Sequence, residues 1–385
     1  MLNLISILAI GLGSATVASA ALLELPMIVD NGYTLVNLNI GTPPQPRRLL
    51  FDTGSGSTWI VDSTCARNCT NSSGWTRTGY DIDVSKTGKY TGDAGEIRYV
   101  SGSSTGGPTV EDRAWIGDVS WKQQFLAANR STWPALPAEG FMGLAFNTIR
   151  LGDARVLPWT MMHKNVLDKP QFSLYYGNGS TDANNRTGGL LTFGGSREEE
   201  YIEGEMAEVP VVKRNGEFQL WRSNLLGISG SFTTTNGTSI PPIETSLFNN
   251  TAIFDTGAAA MYFPATVANQ LYASIGWDQD RFSNGHFPHC SEFNNTWSVT
   301  FTFGGDNDEA LANVTMTGDM FAMPGFANRE ELCWPPFQTQ NSPNVSLLGK
   351  TMLSSFYTVF DFGDFDENRY KPTVSFGNLK EKHIG

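Results

Sequence analysis

The sequence predicts a mostly β protein built as two similar domains, and three observations predict it. Composition comes first: forty glycines, a 12% aromatic share and only 17% charged residues favour strands and tight turns over helices. Short apolar or alternating runs then recur between Gly/Asn/Ser turns, while helical periodicity is scarce. Finally, Leu49-Leu-Phe-Asp-Thr-Gly-Ser55 has a counterpart in Ala252-Ile-Phe-Asp-Thr-Gly-Ala258. About ninety residues after each Asp comes an apolar-apolar-Gly element, Phe141-Met-Gly143 and Leu347-Leu-Gly349. At 385 residues the chain is long enough for two cores.

The elements follow in order. Leu4–Leu12 is apolar and Ala18-Ser19-Ala20 offers an A-x-A cleavage pattern, so residues 1–20 are expected to be a signal peptide, although no Lys or Arg precedes the run. The run is short for a bilayer span, and Lys380-Glu-Lys-His383 is too polar for a lipid-anchor signal, so no stable membrane anchor is expected. Tyr33–Ile40 alternates as a half-buried strand, Gly41-Thr-Pro-Pro44 turns the chain, and Leu49-Leu-Phe51 runs as a buried strand into Asp52-Thr53-Gly54. Helices are expected at Leu157–Asn165, Pro264–Ile275 and Thr351–Phe356. The two halves, 21–195 and 196–385, are expected to join near Phe193–Gly204, with Arg197–Glu200 a solvated loop.

A net charge of −12 and the absence of a basic stripe argue against nucleic acid as a partner. An acidic surface also limits self-repulsion in acid, when carboxylates protonate. Ten N-x-S/T sequons, at Asn68, Asn71, Asn129, Asn178, Asn185, Asn236, Asn249, Asn294, Asn313 and Asn344, point to a glycoprotein. Four cysteines permit three pairings. Cys65 and Cys69 are near enough to close a small loop, and Cys290–Cys333 would then close a long one.

An Asp at the end of an apolar strand, followed by Thr-Gly, is held in a tight turn, where Gly permits close approach and Thr supplies a hydroxyl to lock the loop. One such triplet means little; two in equivalent places imply two carboxylates brought face to face. Such a pair shares one proton and its titrations split apart. It can hold a water, whose proton the ionised member takes while the protonated member hydrogen-bonds the carbonyl under attack.

Phe51-Asp-Thr-Gly-Ser-Gly-Ser-Thr-Trp59 and Ile253-Phe-Asp-Thr-Gly257 resemble the two active-site motifs of pepsin-like aspartic proteases. The resemblance extends over nearly the whole chain after the signal, through Tyr33–Pro44, Glu139–Phe146, Phe172–Tyr175, Leu191–Gly195, Leu347–Gly349 and Tyr357–Asp361. It implies two six-stranded-type β-barrel lobes with a cleft between them. Asp52 and Asp255 would be catalytic, with Thr53, Gly54, Ser55, Thr256 and Gly257 in support and Ser55 hydrogen-bonded to Asp52. Ile97–Gly102 looks like the family's flap, giving Tyr99, Ser101 and Gly102 to substrate binding, with Trp59 the hydrogen-bond neighbour of Tyr99. An extended polypeptide of roughly six to eight residues would lie beneath it as an added strand. Leu50, Tyr99 and Phe125 would favour bulky hydrophobic side chains beside the scissile bond. The resemblance further implies pepstatin-type inhibitors, no cofactor or metal, a monomer, and a secreted enzyme, with a vacuolar or lysosomal-type compartment as second choice.

Four departures qualify the pattern. Ala258 and Ala259 stand where family members carry hydroxyls, which should raise Asp255; Lys350 stands where Asp is frequent, and its charge would act oppositely if it neared the cleft. Val100 replaces a glycine after Tyr99, and only about thirty residues separate the cleavage point from Asp52, leaving no room for a basic prosegment. These keep a rival reading open, a catalytically inactive pepsin-like fold that binds a protein or glycan. A glycosidase would leave the repeat unexplained. His286-Phe-Pro-His289-Cys290 is too irregular for a metal site and reads as loop.

Overall fold

The computed structural model of the chain describes residues 22–178, 185–307 and 309–383, so the expected signal at 1–20 lies outside the described residues. Strands dominate, in one sheet of fourteen and one of eight. Tyr33–Ile40 buries Leu35, Val36, Leu38 and Ile40 and pairs antiparallel with Gln45–Asp52, Leu35 opposite Leu50. The unbroken run Leu49–Asp52 is buried on both faces, as a central strand must be.

The internal repeat corresponds to a repeated piece of topology. Gln45–Asp52 runs parallel to Gly140–Gly143, with Asp52 level with Gly143; Thr251–Phe254 runs parallel to Val345–Leu348, with Phe254 level with Leu348. The glycine of each apolar-apolar-Gly element has a steric reason. A Cβ on Gly143 would lie 2.5 Å from the Ser57 nitrogen, and one on Gly349 would strike the carbonyls of Ala258 and Ala260. Each glycine lets its strand pass directly beneath an Asp-Thr-Gly loop.

The halves are joined by a shared sheet. Six strands run antiparallel in the order Ala207–Pro210, Thr373–Asn378, Phe356–Asp361, Gln171–Gly177, Arg186–Phe193, Leu23–Asp30. Gln171 sits opposite Asp361, so strands from the two halves of the chain meet at its centre. Phe172 stacks on Phe360 at 4.9 Å, and Trp221 packs between Phe146 and Phe362 while its Nε1 donates to the Leu144 carbonyl. One apolar core therefore runs through both halves.

Two local expectations are corrected. Arg197–Glu200 is not simply a solvated loop. The three glutamates are exposed, but Arg197 ion-pairs with Glu24 and Glu200, and Glu198–Tyr201 forms a helical turn. That turn buries Tyr201 between Tyr175 and Tyr357. The third helix covers Lys350–Leu353 and stops before Phe356, which opens a strand paired on both sides. The pairing partners, remote in sequence, override the local helical pattern. The other two helices run Leu157–His163 and Ala265–Ser274. A further short helix, Ser63–Asn68, is capped by Asp62, whose Oδ1 accepts from the Cys65 amide. Of the three cysteine pairings the structure has Cys65–Cys69 and Cys290–Cys333. No helix among the described residues is long and apolar enough to cross a membrane.

Candidate active site

Asp52 ends its strand and Asp255 immediately follows its own, so both project at the seam between the halves. Four buried hydrogen bonds clamp the two loops together. Thr53 Oγ1 donates to the Phe254 carbonyl (2.7 Å) and accepts from the Thr256 amide (2.9 Å). Thr256 Oγ1 donates to the Phe51 carbonyl (2.8 Å) and accepts from the Thr53 amide (3.0 Å). Each threonine thus locks the opposite loop, where the sequence suggested its own.

The glycines bring the carboxylates in. A Cβ on Gly54 would stand 2.6 Å from Asp255 Oδ1, and one on Gly257 would stand 2.7 Å from Asp52 Oδ1. Each carboxylate lies against the other loop's glycine, a space that no side chain could share. The pair is in hydrogen-bond contact.

The two environments differ. Asp52, 4% exposed, accepts from the Gly54 amide (2.8 Å) and from Ser55 Oγ (2.6 Å). Asp255, half-buried, accepts from the Gly257 amide (2.8 Å) and is supported by the Ala258 amide; alanine has no hydroxyl to add. Burial pushes both acids up. On Asp52 the Ser55 and Gly54 bonds oppose that rise, whereas on Asp255 the charge of Asp52 adds to it. These contacts favour charge on Asp52 and the shared proton on Asp255. Lys350 does not offset this. Its Nζ reaches the Gly32 carbonyl at 3.4 Å, and burial alone lowers its pKa.

Lys89–Arg98 and Ser104–Ile116 form a hairpin over this seam. Its turn is closed by the Gly102 amide donating to the Tyr99 carbonyl (2.9 Å), and Ser101 Oγ accepts from the Ser103 amide (3.4 Å). Gly102, at φ +84°, supplies the left-handed residue the turn needs. Val100 carries no such demand and points to solvent, 97% exposed, so valine is tolerated there. Trp59 Nε1 donates to Tyr99 Oη at 2.7 Å, leaving the phenol proton free to be given elsewhere. Burial, with the Asp52 charge second, raises the Tyr99 pKa and keeps that proton in place.

Around Tyr99 stand Trp133 and Phe141, each with ring centroids 5.2 Å away, and the half-buried Tyr33, Ile97 and Leu151 pack against the same apolar cluster. Trp133 and Leu151 carry no sequence signal, because they come from loops remote from any motif. Conversely, Leu50 and Phe125 do not line the cleft. Leu50 is buried beneath Trp59, and Phe125, with no exposure, packs edge-on against Tyr80 at 5.0 Å. Both belong to central strands, whose apolar runs face inward. Tyr176, also missed, is buried below the seam, where the Asp255 charge adds to burial in raising it.

Packing alone gives no reason to press two carboxylates together at a partly buried seam, since the Coulombic cost is steep. Hydrolysis through a shared proton does give one, and the class is an aspartic-type endopeptidase. The chain belongs to the eukaryotic aspartyl protease family, which it matches over residues 33–369. Similar proteins include the vacuolar aspartic protease of Candida albicans, 26% identical over 336 residues (86% of this chain, 73% of that protein). The probable aspartic-type endopeptidase opsB of Aspergillus oryzae is 28% identical over 359 residues (87% and 68%). Cathepsin E-A of Xenopus laevis is 27% identical over 354 residues (89% and 80%).

Proposed function

We propose that Asp52 and Asp255 are the catalytic pair of a secreted, monomeric endopeptidase whose substrate lies beneath the Tyr99 hairpin. The carrying observation is the unequal support of the two carboxylates: Ser55 stabilises charge on Asp52, and nothing equivalent does so on Asp255. Asp52, ionised, takes a proton from a water held between the pair as its oxygen attacks the peptide carbonyl carbon. Asp255, protonated, hydrogen-bonds the carbonyl oxygen and gives up its proton as the tetrahedral intermediate forms. When that intermediate collapses the C–N bond breaks, and the proton held by Asp52 passes to the leaving nitrogen. One hydroxyl proton of the diol returns to Asp255 as the carboxyl C=O re-forms, restoring the starting charge state. The hairpin excludes water, with Ser101 and Gly102 offering backbone groups to an extended chain of roughly six to eight residues. The half-buried wall of Tyr33, Ile97, Tyr99, Trp133 and Leu151 supports a preference for bulky hydrophobic side chains.

Residues 21–195 and 196–385 act as two lobes on the shared sheet, each giving one aspartate, so no second chain is needed. Secretion is supported by the signal pattern, by two disulfides and by the surface position of the sequons: nine of the ten asparagines are exposed and Asn294 is half-buried. Relatives named as vacuolar proteases keep a vacuolar destination as the alternative. The test is hydrolysis of denatured casein from pH 2.5 to 7.5, with pepstatin and Asp255→Asn as controls. Pepstatin-sensitive cleavage lost in the variant is the expected result. Folded, glycosylated protein that cleaves at no pH would establish the inactive binding fold instead.

A further inference from the structure

Lys350 holds the place in the second half that Leu144 holds in the first, directly after the glycine that passes beneath an aspartate loop. Leu144 is fully buried, as that position invites. Lys350 instead stays half-buried and turns its side chain out across the seam. Its amide donates to the Ala258 carbonyl (2.8 Å), three residues beyond Asp255, which ties it to the catalytic loop. Its Nζ reaches the first half, donating to the Gly32 carbonyl over a long 3.4 Å. The space there is open, since a Cβ on Gly32 would meet nothing within 4 Å. The next residue, Tyr33, packs against the cluster that includes Tyr99 and Trp133.

An ammonium has three protons to give, and among the described residues this one has a single weak acceptor and no carboxylate. Arg47, Arg48 and Arg281 are neutralised by Glu139, Asp30 and Glu292. The buried Arg77 has no salt bridge and donates to the Ala138, Trp133 and Leu136 carbonyls, and Arg222 is buried within the protein. Unlike those two arginines, Lys350 is partly open to solvent on the rim of the seam, in a chain with 38 acidic and 26 basic residues. Its missing counter-charge is one the ligand can bring.

We propose that Lys350 is a specificity-determining residue that receives the side-chain carboxylate of an Asp or Glu in the bound polypeptide, near the scissile bond. The proposal rests on reading the cleft as peptide-binding. Its test is a set of otherwise identical peptides with Glu, Gln or Lys scanned through each position flanking the cleaved bond, assayed near pH 6 where Glu is ionised. The same Glu/Gln pair is made as reduced-amide analogues, and their binding is measured calorimetrically.

At one position Glu is expected to exceed Gln by about tenfold in both kcat/KM and affinity, the scale of one charge-assisted bond. Lys350→Met should bring that ratio close to one, and Lys350→Glu should make Lys the favoured residue at the same position. A purely structural role would lower Glu and Gln peptides together and leave their ratio intact. An unchanged ratio in Lys350→Met, or no position at which wild type prefers Glu, would overturn the proposal. Peptides that bind but are never cleaved would count against the proteolytic reading alone, and the analogue pair would still decide the role of Lys350.

Discussion

One hydroxyl separates the two aspartates chemically. Ser55 donates to Asp52, while the corresponding position beside Asp255 is Ala258. In the proposed mechanism Asp52 is ionised to act as base, so its titration sets the acid limb of kcat/KM. In the same mechanism Asp255 is protonated, so its titration sets the alkaline limb. Ser55→Ala should therefore raise Asp52 and move the acid limb upward by about one pH unit, the equivalent of one hydrogen bond to a charged group. Ala258→Ser should lower Asp255 and draw the alkaline limb down by a similar amount. Profiles of kcat/KM against pH for the two variants check both signs. Sterics give a second prediction at this scale. Gly257→Ala would set a methyl 2.7 Å from Asp52 Oδ1 and should cut activity by more than about 100-fold with an unchanged circular dichroism spectrum.

The two aspartate loops function as one element because each threonine bonds the other's backbone. Thr256→Val removes one buried donor and one acceptor while preserving shape, leaving the Phe51 carbonyl and the Thr53 amide unpaired. The expected loss is about 2–4 kcal/mol, read as a lower midpoint in urea unfolding at constant slope. The hairpin is secured more lightly. Tyr99→Phe breaks its bond with Trp59 but keeps the ring against Trp133 and Phe141, so kcat/KM should fall only about fivefold, a loss near 1 kcal/mol.

For the molecule as a whole, the raised carboxyls tie stability to pH. Asp255 is pushed from 3.8 up to about 8, and Asp52 shifts in the same direction. An acid whose folded pKa exceeds its unfolded one favours the native state while protonated. That contribution is complete below about pH 4 and is lost as pH climbs through the folded value. The protein should melt lower at pH 7.5 than at pH 4, and Asp255→Asn, which cannot ionise, should flatten that decline in calorimetric scans.

Much of this was legible in the chain itself. The doubled Asp-Thr-Gly, the apolar strands ahead of it and the glycines ninety residues on are local patterns, and each dictates a backbone conformation that its neighbours cannot easily refuse. The hairpin with Tyr99 and its bond to Trp59 are anticipated by the resemblance to pepsin-like proteases and not by local pattern. Other features depend on residues that meet only after the chain has closed. Phe356 becomes strand because it pairs with Asn378 and opens a run that is bonded on both sides from Thr358 to Asp361. Trp133 reaches Tyr99, and Leu151 joins the same apolar cluster, from loops without a motif, and Phe125 turns into the core although its composition suited the cleft. Lys350 is the plainest case. Its identity is a single letter, but its direction, away from the aspartates and toward a carbonyl 318 residues distant, follows from how two halves settle on a shared sheet. Short-range pattern specifies the strands, the turns and the two acids; the long-range packing between halves assigns each side chain its partner, and with it the charge, the proton and the open rim of the site.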